Sequence, residues 1–218
     1  MPFLCKKNAM HLAIRADKKQ RASIEAMGVA PDCSISWIYE DSTPIEWPEA
    51  DGYIDLLFEE EPMGIRSLLN RSTPIIVSAV SAQTSEIGEG VVRINGWSGF
   101  LDKPLWEAAG EEKYRKDAET LASGIQHQLV WCPDEPGLVS ARVIVQIINE
   151  AYLALEEGVS TRDEIDIAMQ TGTNYPQGPF AWADSIGKKK LTRLLERLNK
   201  VNNRYLIAPL LIKEANHE

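Results

Sequence analysis

The chain has 218 residues, of which 44% are hydrophobic and 25% are charged, and its formal net charge is −9. This length and composition are ordinary for a globular protein with one large or two small domains. The acidic balance argues against a nucleic-acid partner, because phosphate contacts need clustered Lys and Arg side chains. The basic run at 188–190 follows a predicted helix start and fits a solvated helix face.

The cysteines and the apolar runs bear on the compartment. Cys5, Cys33 and Cys132 are odd in number, far apart and without metal-ligand spacing, so reduced structural thiols are expected. No stretch reaches the roughly 18 apolar residues of a membrane span, and the first residues lack the apolar core of a signal peptide. We therefore predict a cytoplasmic protein with no metal and no membrane partner.

The first half of the chain alternates predicted strands with short predicted helices. The strands are apolar and rich in β-branched residues, and they cover 10–16, 33–39, 52–58, 74–80, 89–94 and 129–131. The helices are amphipathic and cover 18–27, 63–70 and 111–123. This alternation predicts an α/β domain with a largely parallel sheet. Residues 95–110 are loop-rich, and Trp97 and Trp106 within them either line a pocket or pack in the core.

The turn after the first predicted strand decides whether a dinucleotide can bind there. A dinucleotide-binding sheet has glycines in this turn, so that backbone amides can approach the pyrophosphate. Here the turn runs from Arg15 through Asp17, no glycine occurs before Gly28, and the Asp17 carboxylate would repel phosphate. Lys18 and Lys19, which open the following helix, either attract an anion or are exposed first-turn lysines.

The second half of the chain is predicted to be all-helical. The turn-rich stretch at 133–137 marks a boundary between a domain at 1–132 and one at 133–218. A long helix over 138–157 is apolar around most of its circumference, so it needs cover from the first domain or from a second copy. Further helices over 161–172 and 188–202 flank a Pro-Gly-rich turn at 174–187, and a hydrophobic tail follows at 206–211.

Several motifs of this half, taken together, resemble the C-terminal domain of the 3-hydroxyacyl-CoA dehydrogenase family. The resemblance covers roughly residues 133–200, and weaker matches continue upstream around Asp55, Ser81 and residues 93–100. The motifs that carry it are Pro136-Gly137, Asn149-Glu150-Ala151, Asp166 with Met169, Pro176 to Pro179, and Asp184 to Gly187.

The resemblance implies a Rossmann domain that binds NAD, here shortened, and a helical domain that helps to bind acyl-CoA and forms a homodimer. In the family a His acts as general base on the 3-hydroxyl while hydride passes to NAD. By the resemblance Ser98 stands at the position of that His, Glu107 is nearest to its Glu partner, and Ala141 stands at the position of an Asn. Ser81 matches the catalytic set, and Asp55 matches the cofactor-binding strand.

These departures predict a relative that keeps the fold and the dimer but has impaired or lost NAD-dependent hydride transfer. An acyl-CoA-like small molecule would be its ligand, and NAD is implied only by the family. The alternative is an active dehydrogenase with a rearranged site, in which His127, Glu107 or Asp102 supplies the base. Outside that alternative, the position of His127 between a predicted helix and a strand is typical of a surface-loop histidine.

Overall fold

The computed structural model describes residues 9–42, 44–69, 72–202 and 206–218. The chain divides into two units, Met1–Asp134 and Glu135–Glu218. The first unit is built on a seven-stranded sheet and the second consists of helices. The predicted combination of a Rossmann-like parallel sheet with a following helical domain is therefore confirmed. Cys33 and Cys132 are free thiols, and Cys5 lies outside the described residues.

The sheet has the strand order β2-β1-β3-β4-β5-β6-β7. Its strands are β1 Met10–Arg15, β2 Cys33–Ile38, β3 Gly52–Asp55, β4 Ile75–Ser78, β5 Val91–Ile94, β6 Leu105–Ala109 and β7 Gln128–Trp131. The helices of this unit are α1 Lys18–Met27, α2 Thr84–Ile87 and α3 Glu112–Gly124, with a 3₁₀ helix at Pro62–Ile65.

Strands β1 to β5 are parallel, and only the pairing of β5 with β6 is antiparallel among the described strands. Strand β1 has β2 on one side and β3 on the other, so the direction in which the sheet grows reverses there. In open α/β sheets, ligands bind beyond the carboxyl ends of the strands at such a reversal. The fold therefore directs attention to the residues that follow β1, β3, β4 and β5.

Three elements of the first unit differ from the sequence-based prediction. Strand β6 lies in the stretch predicted to be loop-rich, where Trp106 is buried and donates its indole N–H to the carbonyl of Leu101 at 3.1 Å. The helix predicted over 63–70 is only the 3₁₀ helix followed by turns, and residue 70 lies outside the described residues. Helix α2 was not predicted, because four residues are too few for a periodic pattern. Both tryptophans of the 95–110 stretch are buried in the fold.

The second unit contains five helices within the described residues. They are α4 Ser140–Glu156, α5 Arg162–Thr173, α6 Pro179–Ile186, α7 Lys188–Val201 and α8 Pro209–Ala215. A capping box opens α5, with Thr161 and Glu164 as its members. The leucines of α7 are fully buried while Lys189 is exposed, as expected for a helix with one solvated face. Helix α8 replaces the predicted hydrophobic tail.

The Pro-Gly-rich turn joins α5 to α6 through a carboxylate. Asp166 of α5 accepts hydrogen bonds from the backbone N–H groups of Phe180 at 2.8 Å and Ala181 at 3.0 Å, in the first turn of α6. Gly178 passes directly beside this carboxylate, and a Cβ atom there would lie 2.2 Å from Cγ of Asp166. Gly178 and Asp166 together therefore fix the start of α6 against α5.

Asn149 of α4 holds the segment that precedes α8. Its side-chain amide donates to the carbonyl of Leu206 at 2.7 Å, and its oxygen accepts from the N–H of Ala208 at 2.9 Å. We expect Asn149→Ala to lower the free energy of unfolding of the helical unit by about 2 kcal/mol, because the buried N–H of Ala208 and the carbonyl of Leu206 lose their partner. Chemical denaturation followed by circular dichroism measures this, and Glu150→Ala on the exposed side of α4 is the control.

Candidate functional site

The candidate site is the carboxyl edge of the sheet, defined here as residues 15–20, 55–61, 78–81 and 94–98. These four segments follow β1, β3, β4 and β5. The chain uses its own charged side chains to satisfy much of the hydrogen-bonding capacity of this edge, as three groups of contacts show.

The first group closes the turn between β1 and α1. The Asp17 carboxylate accepts the N–H of Gln20 at 2.7 Å, and the Gln20 side chain accepts the N–H of Asp17 at 3.0 Å. The Gln20 amide also donates to the carbonyl of Leu56 at 2.9 Å. A phosphate at a helix N-terminus needs first-turn N–H groups, and here a carboxylate already takes one of them. The residues of this turn therefore do not fit the pyrophosphate of NAD.

The second group is a buried ion pair between β1 and β3. The Arg15 guanidinium lies 3.4 Å from the Asp55 carboxylate and 2.5 Å from that of Glu61. Asp55 is completely buried and also accepts the N–H of Leu57 at 2.9 Å. Burial raises the pKa of Asp55 to about 7, although the neighbouring Arg15 charge acts to lower it. Asp55, which the family resemblance associates with the cofactor, is thus paired inside the chain.

The third group is centred on Glu59, in the turn after β3. One carboxylate oxygen accepts the N–H groups of Val80 at 3.0 Å and Ser81 at 3.1 Å, and the other accepts the indole N–H of Trp97 at 2.7 Å. Glu59 therefore ties the loop after β4 to the loop after β5. The hydroxyl of Ser81 is buried and has no hydrogen-bond partner among the described residues.

Lys19 and Ser98, two of the predicted site residues, are brought together at this edge. The Lys19 ammonium donates to the Ser98 hydroxyl oxygen at 2.9 Å, and Ser98 is half-buried. Lys18 is exposed on the same turn of α1. The contact links the first turn of α1 to the loop after β5, but it gives the serine a proton donor and no base.

The remaining predicted residues lie on other elements. Glu107 is half-buried in the middle of β6, and Asp102 is exposed in the turn before that strand. Ala141, in the first turn of α4 in the second unit, is buried and has no side-chain hydrogen-bonding group.

The expectation that His127 is a surface-loop histidine is wrong. Its ring is 1% exposed and lies 4.0 Å, centroid to centroid, from the ring of Trp106. Its two nitrogens lie 2.6 Å from the carbonyl oxygen of Ile125 and 3.1 Å from that of Leu101. Burial lowers the pKa of His127, against the two carbonyl contacts that raise it. Both nitrogens face backbone carbonyls, so this ring is suited to joining two loops rather than to accepting a proton from a ligand.

Asp134 secures the last residues of the first unit to its sheet. Its carboxylate accepts the N–H and hydroxyl of Thr84 at 3.0 and 2.6 Å and the guanidinium of the buried Arg93 at 2.5 Å. Burial acts to raise the pKa of Asp134, but the bonds from Thr84 and Arg93 outweigh it and the pKa is lowered.

We expect Asp134→Asn to destabilise the sheet unit by about 2 kcal/mol at neutral pH, because charge-assisted hydrogen bonds are weakened and Arg93 loses its counter-charge. A lowered pKa gives stability that is present above the unfolded pKa and lost as pH falls through the folded pKa. The difference between wild type and variant should therefore shrink below about pH 4. Urea denaturation at several pH values measures it, and an unchanged difference at low pH would contradict this role.

Arg15 and Glu59 were not identified from the sequence. Two signals were available in the sequence. Arg15 is a charged residue at the end of an apolar predicted strand, and a run of three glutamates at 59–61 directly follows the predicted strand at 52–58. Neither signal names a partner, because the contacts join segments 21 to 46 residues apart.

Two pockets of the first unit lie near the amino ends of the strands, away from the carboxyl edge. One of about 460 Å³ includes His11, Asp51 and Tyr53 in its lining, and one of about 390 Å³ includes Glu89 and Tyr114. In the described part of the chain, no helix is long and apolar enough to cross a membrane.

The sheet order and the crossover from β1 to β3 define a Rossmann-like sheet, and a helical unit follows it in the chain. A family model for the C-terminal domain of 3-hydroxyacyl-CoA dehydrogenase matches residues 137–216. The (S)-3-hydroxybutyryl-CoA dehydrogenase of Ralstonia eutropha superposes with a TM-score of 0.69 over 96% of this chain and 94% of that one, at 17% identity. The helical unit therefore matches the C-terminal domain of the 3-hydroxyacyl-CoA dehydrogenase family.

Curated relatives agree over part of their length. The 3-hydroxyadipyl-CoA dehydrogenase of Escherichia coli is 48% identical over 65 residues, which are 30% of this chain and 14% of that protein. A probable 3-hydroxybutyryl-CoA dehydrogenase of Bacillus subtilis is 37% identical over 107 residues, 48% of this chain and 37% of that protein. The matched stretches thus span well under two thirds of these relatives.

Proposed function

We propose that this chain is a 3-hydroxyacyl-CoA dehydrogenase relative with impaired or lost NAD-dependent hydride transfer. The observation that carries the proposal is the Asp17 carboxylate, which accepts a first-turn N–H of α1 in the turn where a dinucleotide-binding sheet has glycines. A bound pyrophosphate would meet this negative charge. Binding NAD would require the capping box of α1 to open.

The catalytic positions support the same proposal. Removing a proton from a 3-hydroxyl requires a base whose pKa lies near the working pH. Ser98, at the position of the family His, has a hydroxyl that already accepts a hydrogen bond from Lys19, and Ala141 offers no polar group in place of the Asn. NAD would supply the hydride acceptor in an active relative, but these residues do not position it.

The test is a coupled measurement of turnover and binding. The protein is incubated with NAD and (S)-3-hydroxybutyryl-CoA, and separately with NADH and acetoacetyl-CoA, while NADH absorbance is followed. We expect no turnover above a blank, with a bacterial 3-hydroxybutyryl-CoA dehydrogenase as positive control. Steady NADH formation or consumption would instead establish the alternative, an active dehydrogenase with a rearranged site.

The proposal also includes two features that this chain would share with the family, a ligand and a partner. An acyl-CoA-like molecule is the ligand class that the helical family domain favours, and a second copy of the chain in the cytoplasm is the partner. Isothermal titration with acetyl-CoA and sedimentation equilibrium of the purified chain test these two statements separately. Absence of binding heat would remove the ligand from the proposal, and a monomer at all concentrations would remove the dimer.

A further inference from the structure

Three N–H groups converge on one carboxylate at the carboxyl edge. They are the backbone N–H groups of Val80 and Ser81 and the indole N–H of Trp97, and Glu59 accepts all three. We call these three donors the carboxylate nest. Consecutive backbone N–H groups pointing to one side form a concave site that favours anions. The nest is therefore an anion site whose present occupant is a side chain of the same protein.

Ser81 provides a second, independent observation at this nest. Its side chain is 3% exposed, yet its hydroxyl has no hydrogen-bond partner among the described residues. Leaving a buried hydroxyl unpaired costs about 1–3 kcal/mol, so such a group in a native fold calls for an explanation. A ligand oxygen beside the N–H of Ser81 would give the hydroxyl its partner.

Glu59 is placed so that it can leave the nest. It lies in the turn at 56–60, outside any helix or strand, and it is half-exposed. Rotation of its side chain would return the carboxylate to water and free the three donors, while the strands keep those donors in place. The loop after β5 passes close to β4. A Cβ atom added at Gly96 would lie only 2.4 Å from the Ser78 hydroxyl oxygen.

We propose that the carboxylate nest binds the carboxylate group of a small organic acid, with Glu59 as its internal competitor. Glu59 itself demonstrates the fit, since one of its oxygens takes the two backbone N–H groups and the other takes the indole N–H. A ligand carboxylate would make the same three bonds, and because it is not tethered to the chain as Glu59 is, it could also move to accept from the Ser81 hydroxyl, which Glu59 leaves unpaired. This inference does not depend on hydride transfer, so it stands or falls separately from the proposed function.

The wild-type chain tests the proposal directly by NMR, with acetate and 3-hydroxybutyrate as probes and sodium chloride at equal ionic strength as control. We expect the indole N–H signal of Trp97, assigned with Trp97→Phe, to shift together with the amides of Val80 and Ser81 in a saturable titration. Chloride should not reproduce the shift. Saturation with inorganic phosphate but not with either carboxylate would overturn the assignment of the ligand class.

Variants then test the competitor. Glu59→Ala empties the nest, so we expect its apparent Kd for acetate to be at least about tenfold lower than that of the wild type. We also expect its melting temperature to rise with acetate. Glu60→Ala makes the same charge change one residue along and should behave as wild type. Equal responses of the two variants, or none in either, would overturn the proposal.

Two further variants separate binding from folding. If Glu59→Ala does not fold, Glu59→Gln keeps the side-chain shape while removing the charge, and its acetate affinity is compared with wild type in the same way. Ser81→Ala should weaken acetate binding by several-fold in the Glu59→Ala background while leaving the Trp97 shift detectable. An unchanged affinity for acetate would show that the Ser81 hydroxyl does not contact the ligand. Its lack of a hydrogen-bond partner would then no longer support the proposal.

Discussion

Replacing Gly178 with alanine is expected to lower the free energy of unfolding of the helical unit by about 2–4 kcal/mol. The new Cβ would lie 2.2 Å from Cγ and 2.3 Å from Cβ of Asp166, and no real side chain tolerates that approach. Asp166 would have to move, and the N–H groups of Phe180 and Ala181 would lose the carboxylate that they share. The loss should therefore combine a steric cost with the loss of the cap of α6.

The matched control is Gly172→Ala in the same unit. Gly172 lies within α5, and a Cβ atom added there would have no neighbour within 4 Å among the described residues. Alanine is the better helix former and restricts the unfolded chain, so this substitution should stabilise the unit by about 0.5–1 kcal/mol. Two Gly→Ala changes six residues apart are thus expected to have opposite signs.

A double-mutant cycle with Asp166→Gly identifies the mechanism, because alanine would keep the Cβ atom of residue 166 that lies 2.3 Å from the new Cβ. Once Asp166 is truncated, Gly178→Ala has less to displace and should cost clearly less than in the wild type. Trp182, the single tryptophan between residues 135 and 218, reports locally on α6 when it carries a fluorine label. Additive effects of the two changes would show that the strain at Gly178 does not act through Asp166.

This pair of residues also shows what the sequence could predict. The prolines and Gly178 indicated a turn, and Asp166 was identified only as one residue of the family motif. The Asp166 carboxylate caps the next helix, 14 residues along the chain. Local signals predict that a turn and a cap exist, whereas the partner of the cap depends on how two helices pack.

The sheet was largely predictable because most of its strands carry a local sequence signal. Strands β1, β3, β4 and β5 are mostly buried apolar runs, and such runs are visible in the sequence. Strand β6 ends with Ala108 and Ala109, which are poor strand formers, so its identity rests on pairing with β5 and β7 rather than on local preference. His127 was misplaced because the two carbonyls that face it belong to different loops.

At the candidate site, the sequence predicted only which family features are missing. The missing glycines after β1 could be read directly from the sequence, whereas Ser98 at the position of the family His is implied only by the resemblance. The positive features of the edge, such as the Arg15 pair and the Glu59 contacts, join segments that only the folded sheet brings together. The placement of the charges in the sequence names neither the partners of these residues nor the geometry of the contacts.

The free energy of unfolding of the wild type is expected to fall as pH rises from about 4 to about 7, and Asp55→Asn is expected to abolish this fall. The folded pKa of Asp55 is raised from 3.8 to about 7, with burial as the largest cause. At low pH the group is protonated in both states and contributes nothing to the pH dependence. Above pH 4 the unfolded chain releases this proton while the folded chain retains it, so stability falls until the folded group also ionises, and it is constant above that.

Each pKa unit corresponds to about 1.4 kcal/mol, so the loss across this window is on the order of 4 kcal/mol for Asp55 alone. Asparagine keeps an oxygen for the N–H of Leu57, and Arg15 keeps Glu61, so Asp55→Asn should fold with a flatter stability profile. Asp51→Asn, an exposed acid just before the same strand, should retain the wild-type profile. Urea denaturation between pH 4 and 8 measures all three proteins. A constant difference between wild type and Asp55→Asn over that range would mean that Asp55 stays ionised throughout, held so by Arg15 in spite of its burial.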